Sequence, residues 1–370
     1  MVDVAVVGGG LSGLYTALLL HQRGVSTLLL EARDRLGGRI LSRGIDDGGP
    51  AIATATDRYD LGPAWFWPEI QPRMGRLLAQ LGLGVFPQAT DGLMLIERDV
   101  GVHPHRVQQG GRAEPRSMRI RGGVQSIVDR LSAQLPAAHV HRSTTVTALA
   151  ADPEEGLVRL QAQGPDGPAT LLARQVVLAL PPRLCAATIA FTPELPRELQ
   201  ARLAAVPTWM AAHAKFLAVY TRAFWREQGL SGAAMSAVGP LAEIHDASAA
   251  EGAPALFGFF GLSASERARP DGESLEARCL RQLVRLYGPD AARPRAVFLM
   301  DWARERYTAT AADAAWPSSH PQYGPVRAPA GLWTDRLLWA STETAGAFGG
   351  YLAGALEAAV VAADTVSATR

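Results

Sequence analysis

The chain has 370 residues, of which 48% are hydrophobic and 19% charged, and its net charge at pH 7 is +1. This composition predicts a globular protein with a large core and excludes an intrinsically disordered chain. The balanced charge argues against a nucleic-acid partner, because a polyanion binder needs an excess of basic residues. Of the 36 basic residues 35 are arginines, and Lys215 is the single lysine.

The chain contains two cysteines, Cys185 and Cys279, and neither belongs to a spacing typical of zinc or haem attachment. Two pairs of closely spaced histidines lack neighbouring carboxylates or thiols, so no metal site is predicted. No charged leader precedes the first apolar run, and no apolar stretch reaches 18 residues. We therefore expect a soluble, cytoplasmic protein without a membrane anchor, and the patterns carry no signal for an oligomeric state.

The first predicted elements form a βαβ unit. Val4–Val7 and Val25–Leu30 have the composition of short buried strands, and Leu14–Gln22 that of an apolar helix. Strands that alternate with helices in this way belong to parallel sheets. The sequence therefore predicts the start of an α/β domain.

A glycine-rich turn joins the first strand to the helix. Its three glycines follow the G-x-G-x-x-G spacing, which permits a tight turn, close approach of a pyrophosphate, and close packing of the helix on the strand. The amides of the first helical turn then face the phosphates, and an acid after the second strand accepts hydrogen bonds from ribose hydroxyls. The predicted dinucleotide-binding residues here are Gly8, Gly10, Leu11, Ser12, Gly13 and Glu31.

A second glycine-rich loop, E-A-R-D-R-L-G-G-R over residues 31–39, follows directly. A plain nicotinamide-dependent dehydrogenase domain does not need this second loop. The stretch resembles the flavin-containing amine oxidase family, which includes monoamine oxidases and polyamine oxidases. The resemblance implies that FAD is the cofactor and that Ala32, Arg33, Gly37, Gly38 and Arg39 contact it.

Later segments are similar to the same family. The D-L-G-P-A-W segment at residues 60–65 resembles a loop beside the flavin, and residues 140–163 alternate like a pair of antiparallel strands that would place the adenine. The T-E-T sequence at residues 342–344 precedes a helix whose positive end would face the flavin. The cofactor-binding residues that the resemblance implies here are Gly62, Pro63, Ala64, Trp65, Val146, Trp302, Thr342, Glu343, Tyr351 and Leu352.

The predicted fold is α/β plus α+β, with two interleaved domains. Strands at residues 212–220 and 255–261 and an amphipathic helix at 275–287 fit the second of them. The predicted domains are an FAD-binding Rossmann-like (GR2-type) domain of residues 1–75, 116–190 and 330–370, and a mixed-sheet substrate domain of residues 76–115 and 191–329.

Lys215 lies in the predicted strand at residues 212–220. Arginine replaces lysine at solvated surface sites, but it cannot replace an amine that must lose a proton. The resemblance implies that Lys215 holds a water against flavin N5 and is catalytic. The alternative is a lysine that extends from the end of a strand to solvent.

Tyr351 is similar in position to one wall of the aromatic cage that many amine oxidases build in front of the flavin. The opposite wall falls at Ala312, which leaves the cage half-built. Candidates for the missing face are Phe348, Trp65, Trp67 and Trp316. The predicted catalytic residues are therefore Lys215, Tyr351 and Phe348. The position that carries covalent flavin in monoamine oxidases falls at Ala311, so the FAD is expected to be non-covalent.

The resemblance implies an oxidase that moves a hydride equivalent from the amine-bearing carbon of its substrate to FAD. The imine would hydrolyse, and O2 would restore FAD and yield H2O2. The sequence leaves three alternatives open: an oxidase or desaturase of a non-amine or amino-acid substrate, an NAD-dependent dehydrogenase, and a non-catalytic FAD-binding module. An amino acid would need an arginine for its carboxylate.

Overall fold

The computed structural model describes residues 1–45, 58–108, 115–269, 272–314 and 319–368. Its strands are β1 (Val2–Val7), β2 (Thr27–Leu30), β3 (Ser42–Arg43), β4 (Tyr59–Asp60), β5 (Val85–Pro87), β6 (Leu93–Glu97), β7 (His105–Gln108), β8 (Met118–Ile120), β9 (Val140–His141), β10 (Thr145–Ala151), β11 (Val158–Gly164), β12 (Gly167–Leu178), β13 (Ala190–Thr192), β14 (Ala214–Val219), β15 (Leu230–Ser236), β16 (Leu241–Asp246), β17 (Ala255–Phe260), β18 (Ala296–Asp301) and β19 (Leu337–Trp339). Its α-helices are α1 (Leu11–Gln22), α2 (Pro72–Gln80), α3 (Gln125–Ser132), α4 (Pro182–Thr188), α5 (Arg197–Ala205), α6 (Phe224–Glu227), α7 (Ala264–Arg267), α8 (Leu275–Tyr287) and α9 (Leu352–Ala368). Within these five stretches, no helix is both long enough and apolar enough to cross a bilayer.

The first sheet is built around the predicted βαβ unit. Its strand order is β13-β10-β11-β12-β1-β2-β9, and β19 pairs with the carboxyl end of β12. β1 lies parallel to both β2 and β12. Val4 and Val6 of β1 belong to the core formed with α1, α3 and α9, whereas Ala5 and Val7 belong to the core on the opposite face. Both faces of β1 are buried, as a parallel strand requires, and the α/β part of the predicted fold is confirmed.

The second sheet has the order β18-β14-β17-β16-β15-β6-β7 and is mostly antiparallel. Successive residues of β14 point to opposite faces. Phe216 packs in the core that includes α8, while Leu217 packs against Tyr59 of β4 and against Leu61, which follows β4. One face of this sheet is therefore covered by a helix, and the other is turned towards the first sheet.

We propose the two interleaved domains with the bounds expected from the sequence, because they follow these two sheets. The strands of the first sheet lie in residues 2–30, 140–192 and 337–339, and those of the second lie in residues 93–108 and 214–301. The chain crosses between the sheets several times, so each domain is discontinuous in sequence.

Four elements differ from the sequence-based expectation. β15 and β16 were not predicted, because β15 is rich in Ser, Gly and Ala and gains its stability by pairing with β6 and β16. The sequence pattern predicts a strand over residues 175–180, but β12 begins at Gly167, because its exposed start, with Gly, Pro and Thr, does not have the composition of a buried strand. The apolar spacing of residues 70–83 predicts a helix of that length, but α2 begins only at Pro72, which suits the first helical position, and ends at Gln80.

Candidate functional site

A cavity of about 920 Å³ opens at the carboxyl ends of β1 and β2 and reaches the inner face of the second sheet. The predicted cofactor-binding residues that line it are Gly8, Gly10, Leu11, Ser12, Glu31, Ala32, Arg33, Gly37, Gly38, Arg39, Gly62, Pro63, Ala64, Trp65, Val146, Trp302, Thr342, Tyr351 and Leu352. Two further predicted residues, Gly13 and Glu343, lie behind this wall. Of the predicted catalytic residues, Lys215 and Tyr351 line the cavity and Phe348 does not.

The turn after β1 brings backbone against the cavity. A Cβ on Gly13 would lie 1.9 Å from the carbonyl oxygen of Gly8, so only glycine lets α1 pack this close to β1. A Cβ on Gly10 would meet no protein atom within 4 Å. Gly10 is also the N-cap of the 12-residue α1, and because glycine has no side chain, the amides of the first turn have no side-chain cap. The first-turn amides are therefore available to an anion such as a pyrophosphate.

Gly10→Ala is expected to leave the fold intact and to weaken FAD binding about ten-fold, because the methyl group occupies cavity space where the phosphates would bind. Fluorescence titration of the apoprotein with FAD measures this. Gly75→Ala on α2 is the matched control, since its added Cβ also meets no atom within 4 Å and lies away from the cavity. Equal affinities of the two variants for FAD would contradict the assignment.

Glu31 follows β2 and is held by two backbone amides. Its Oε2 accepts a hydrogen bond from the N–H of Gly9 at 2.7 Å, and its Oε1 accepts one from the N–H of Arg33 at 2.8 Å. Each carboxylate oxygen keeps a further lone pair, so Glu31 can also accept from ribose hydroxyls. Ser341 Oγ lines the cavity and is buried without a hydrogen-bond partner among the described residues. The open space at Gly10 and this hydroxyl both fit a bound dinucleotide.

The two arginines of the second glycine-rich loop that are predicted to contact the cofactor both form ion pairs with glutamates. Arg39 donates to both oxygens of Glu343, at 2.6 and 3.1 Å, and to the carbonyl of Trp209 at 3.0 Å. Arg33 donates to Glu305 at 3.0 Å. Glu343 is only 1% exposed, so its pair with Arg39 holds the T-E-T turn against the glycine-rich loop. The predicted role of Glu343 is therefore indirect: it positions Arg39 and does not reach the cavity.

Lys215 on β14 lies within the wall of the cavity and is 2% exposed. Its Nζ donates to the carbonyls of Asp60 at 2.8 Å and Gly62 at 3.0 Å. The Phe257 ring centroid lies 4.1 Å from Nζ and the Phe259 centroid 5.4 Å. Burial lowers the pKa of this amine to about 7, although the nearby Asp60 carboxylate favours the charged form. The structure therefore does not place Lys215 at the surface of a strand end.

Glu243, Phe259 and Lys215 form a lateral row across three strands. In the antiparallel register Lys215 pairs with Phe259, and Phe259 pairs with Glu243, so all three project from the same face. All three line the cavity. The Glu243 carboxylate contacts His245 Nε2 at 2.6 Å, and this hydrogen bond lowers the pKa of Glu243. The His245 ring packs edge-on against Trp65, with centroids 4.9 Å apart. The row therefore carries an anion, an aromatic ring and an amine.

Tyr351 is surrounded by aromatic rings that are distant in sequence. Trp67 meets it edge-on at a centroid distance of 6.0 Å, and His320 stacks on it at 5.2 Å with an interplanar angle of 11°. Trp209 packs against His320 at 4.3 Å. A substrate held between two parallel rings would need roughly 7 Å, which is twice a van der Waals contact. The His320–Tyr351 pair is too close for a substrate to lie between the two rings. Two indoles near Tyr351, those of Trp67 and Trp209, line the cavity.

The other candidates for the missing cage wall lie elsewhere. Phe348 was predicted as catalytic, but this residue is 38% exposed and does not line the cavity, and its backbone is left-handed (φ 52°) just before α9. Ala312 lies in an exposed turn whose neighbour Asp313 pairs with Arg183. Trp65 lines the cavity beside His245, and Trp316 lies outside the described residues.

Six aromatic or ionisable residues that line the cavity had no predicted role, because strand register and tertiary packing bring them there. They are Trp209, His213, Glu243, Phe259, Arg306 and Tyr307. Burial lowers the pKa of His213 to about 4, so it is neutral at physiological pH. A local motif could not identify any of the six, although His213 lies two residues before the single lysine.

Both cysteines of the chain are fully buried and away from the cavity. Burial raises the pKa of Cys185 to about 12 and raises that of Cys279 as well. Neither thiol can therefore form a thioether with a cofactor in the cavity, as expected for non-covalent binding. The described stretches contain no cluster of three or more metal-ligating side chains.

The sequence matches two families. Residues 102–367 match the family described as flavin containing amine oxidoreductase, and residues 6–81 match the NAD(P)-binding Rossmann-like domain. The probable flavin-containing monoamine oxidase A of Dictyostelium discoideum is 26% identical, over 96% of this chain and 95% of that protein.

Solved structures with the same fold include a triple mutant of putrescine oxidase, with a TM-score of 0.77 and 22% identity over 100% of this chain and 99% of that one. Cyclohexylamine oxidase from Brevibacterium oxydans IH-35A gives a TM-score of 0.76 at 20% identity, over 100% and 99% of the two chains. At these identities the likeness to both structures shows a shared fold.

Proposed function

Because the chain belongs to the flavin containing amine oxidoreductase family and is an FAD-dependent oxidoreductase, we propose that it oxidises an amine at the carbon bearing the nitrogen. FAD, when bound, accepts the hydride equivalent and passes two electrons to O2, which gives H2O2. Hydrolysis of the imine by water then yields a carbonyl compound and ammonia or a smaller amine. The chain's own residues bind the cofactor, orient the amine and control its proton.

The observation that carries this proposal is the row of Glu243, Phe259 and Lys215 on the cavity wall. An aliphatic amine arrives as an ammonium ion at neutral pH, and the Glu243 carboxylate attracts it. The Phe259 ring offers an apolar surface to the carbon next to the nitrogen. Adjacent residues of the row are one strand spacing, about 5 Å, apart. A small amine beside Glu243 thus lies within reach of Lys215.

Lys215 has the geometry to hold a proton or accept one. Two of its hydrogens are directed at the carbonyls of Asp60 and Gly62, so the third position on Nζ is left for the cavity. With a pKa of about 7, this position is an N–H in the charged form and a lone pair in the neutral form. We propose that Nζ orders a water there and exchanges a proton with it.

The charges of the row favour an amine over an amino acid. An amino-acid substrate would need a guanidinium for its carboxylate, yet the row presents the Glu243 carboxylate instead. The two arginines of the glycine-rich loop that line the cavity, Arg33 and Arg39, are each paired with a glutamate. Family membership, and with it FAD, argues against the nicotinamide-dependent alternative.

Anaerobic titration of the holoenzyme tests the proposal. Primary and secondary amines are expected to bleach the flavin absorbance, whereas amino acids and alcohols of the same length are expected to leave it unchanged. Oxygen should restore the absorbance and release H2O2 in equal amount to the amine consumed. Bleaching by amino acids or alcohols alone would overturn the proposed substrate class.

In the same titration, Glu243→Gln is expected to raise the half-saturating amine concentration about ten-fold, because it removes the charge that attracts the ammonium. Glu227→Gln is the matched control, since Glu227 is an exposed glutamate in a surface ion pair with Arg222. If both variants saturate at the same amine concentration, the row does not bind the ammonium.

A further inference from the structure

The segment of residues 302–308, which follows β18, is tied to β10, to the loop after β2 and to the segment after β4. Trp302 Nε1 donates to the carbonyl of Leu61 at 3.1 Å, and the hydroxyls of Tyr307 and Thr145 lie 3.2 Å apart. Arg33 donates to Thr308 Oγ1 at 2.8 Å. The segment therefore joins the second sheet to the edge of the cavity where β2 and β10 place Glu31 and Val146.

Two guanidinium groups lie over the ring of Tyr307 in this segment. The Cζ of Arg306 lies 4.4 Å from the ring centroid, and the Cζ of Arg33 lies 5.5 Å from it. Arg306 also donates a hydrogen bond to the Tyr307 hydroxyl. Stacking on an aromatic face fixes the plane of a guanidinium, so Arg306 is held in one orientation although its side chain is exposed.

Arg306 differs from the other cations of the cavity in its partners. Four cationic side chains line the cavity among the described residues, namely Arg33, Arg39, Lys215 and Arg306. Arg33 and Arg39 are paired with Glu305 and Glu343, and Lys215 donates to two carbonyls. Arg306 contacts only the Tyr307 hydroxyl and ring in the described part of the chain. Its charge is therefore not neutralised by the protein.

A dinucleotide brings two negative charges on its pyrophosphate, and the two paired arginines offset little of that charge. We propose that Arg306 pairs with the adenosine diphosphate half of FAD and that Tyr307 holds its guanidinium in place. The 302–308 segment then acts as a clamp that slows release of the cofactor. This inference concerns the cofactor alone, so it holds or fails independently of the proposed amine substrate.

The test is the rate of FAD release from the holoenzyme after dilution, followed by the rise in flavin fluorescence. Arg306→Ala is expected to release FAD at least about ten-fold faster than the wild type, since it loses a charge-assisted contact. Raising the salt concentration should speed release from the wild type and affect the Ala variant much less. Arg306→Lys keeps the charge and should release FAD more slowly than Arg306→Ala.

Arg304→Ala is the matched control, because Arg304 is an exposed arginine of the same segment that does not line the cavity. Thermal unfolding of the apoproteins separates loss of the contact from loss of the fold, and the three variants should unfold at the wild-type temperature. Release from Arg306→Ala at the rate of Arg304→Ala would overturn the clamp. So would equal salt dependence of release in Arg306→Ala and the wild type.

Discussion

Replacing Lys215 with Met is expected to leave FAD bound and to slow either the bleaching of the flavin by amine or its recovery in air by about 100-fold. The reason is the position of Nζ, which is buried in the cavity wall and held by two carbonyls. Met matches the length of the side chain but supplies neither an N–H nor a lone pair. Stopped-flow absorbance of the flavin measures the two half-reactions separately.

The pH profile identifies the amine as the group responsible. Since burial sets the pKa of Lys215 at about 7, the affected rate should change near pH 7 in the wild type and lose this inflection in Lys215→Met. Wild-type rates in both half-reactions of the variant would refute the catalytic assignment. The FAD content of the purified variant is the control for an intact site.

Lys215→Met is also expected to change how the free energy of unfolding depends on pH. The folded state holds Lys215 with a pKa of about 7, against an ordinary value of 10.5. The unfolded state therefore binds more protons between these values, so this lysine makes the free energy of unfolding rise with pH across that interval. Denaturant unfolding at several pH values should show a smaller rise in Lys215→Met than in the wild type.

Replacing Glu343 with Ala is expected to lower the free energy of unfolding by about 3–5 kcal/mol, because it leaves the Arg39 guanidinium without its carboxylate in a buried site. Glu343 also accepts a hydrogen bond from the N–H of Trp209 at 3.3 Å, so the loss reaches a third segment. We expect the variant to be purified with little FAD. Denaturant unfolding and the ratio of flavin to protein absorbance measure the two effects.

Glu305→Ala is the control for this prediction. Glu305 pairs with Arg33 at 3.0 Å, a distance similar to that of the Glu343 pair, but its side chain is 36% exposed. Solvent screens such a pair, so its removal should change stability by about 1 kcal/mol or less. If the two variants lowered the free energy of unfolding equally, burial would not be the reason that the Arg39–Glu343 pair contributes to stability.

Local sequence patterns predict those parts of the site that a single turn or strand forms. The glycine spacing of residues 8–13 and the acid at residue 31 belong to a single βαβ unit, and the structure places them around the cavity as expected. Lys215 was singled out because arginine had replaced lysine everywhere else. The first constraint lies within one supersecondary unit and the second lies in the composition of the chain, so both can be read from the sequence.

The substrate-facing wall follows from contacts over long distances in sequence. Glu243 joins Lys215 only because β16, β17 and β14 pair in one register, and β16 itself has no strong strand signal. Trp209 reaches Tyr351 through His320. Spacing along the chain is not informative about such neighbours, so it did not indicate Trp209, and it indicated Phe348, which lies outside the cavity.

Segments near both ends of the chain form the cavity wall, so the cavity can be complete only late in the synthesis of the chain. Gly10 lies at the start of α1, and α9, which begins at Leu352, packs against the same helix. Ser12 donates a hydrogen bond to the carbonyl of Ala340. A ribosome that adds about 5–20 residues per second needs roughly 20 to 70 s to pass from one segment to the other. For that time Leu14 and Leu18 lack the helix that covers them, and FAD can be captured only after synthesis has passed Leu352.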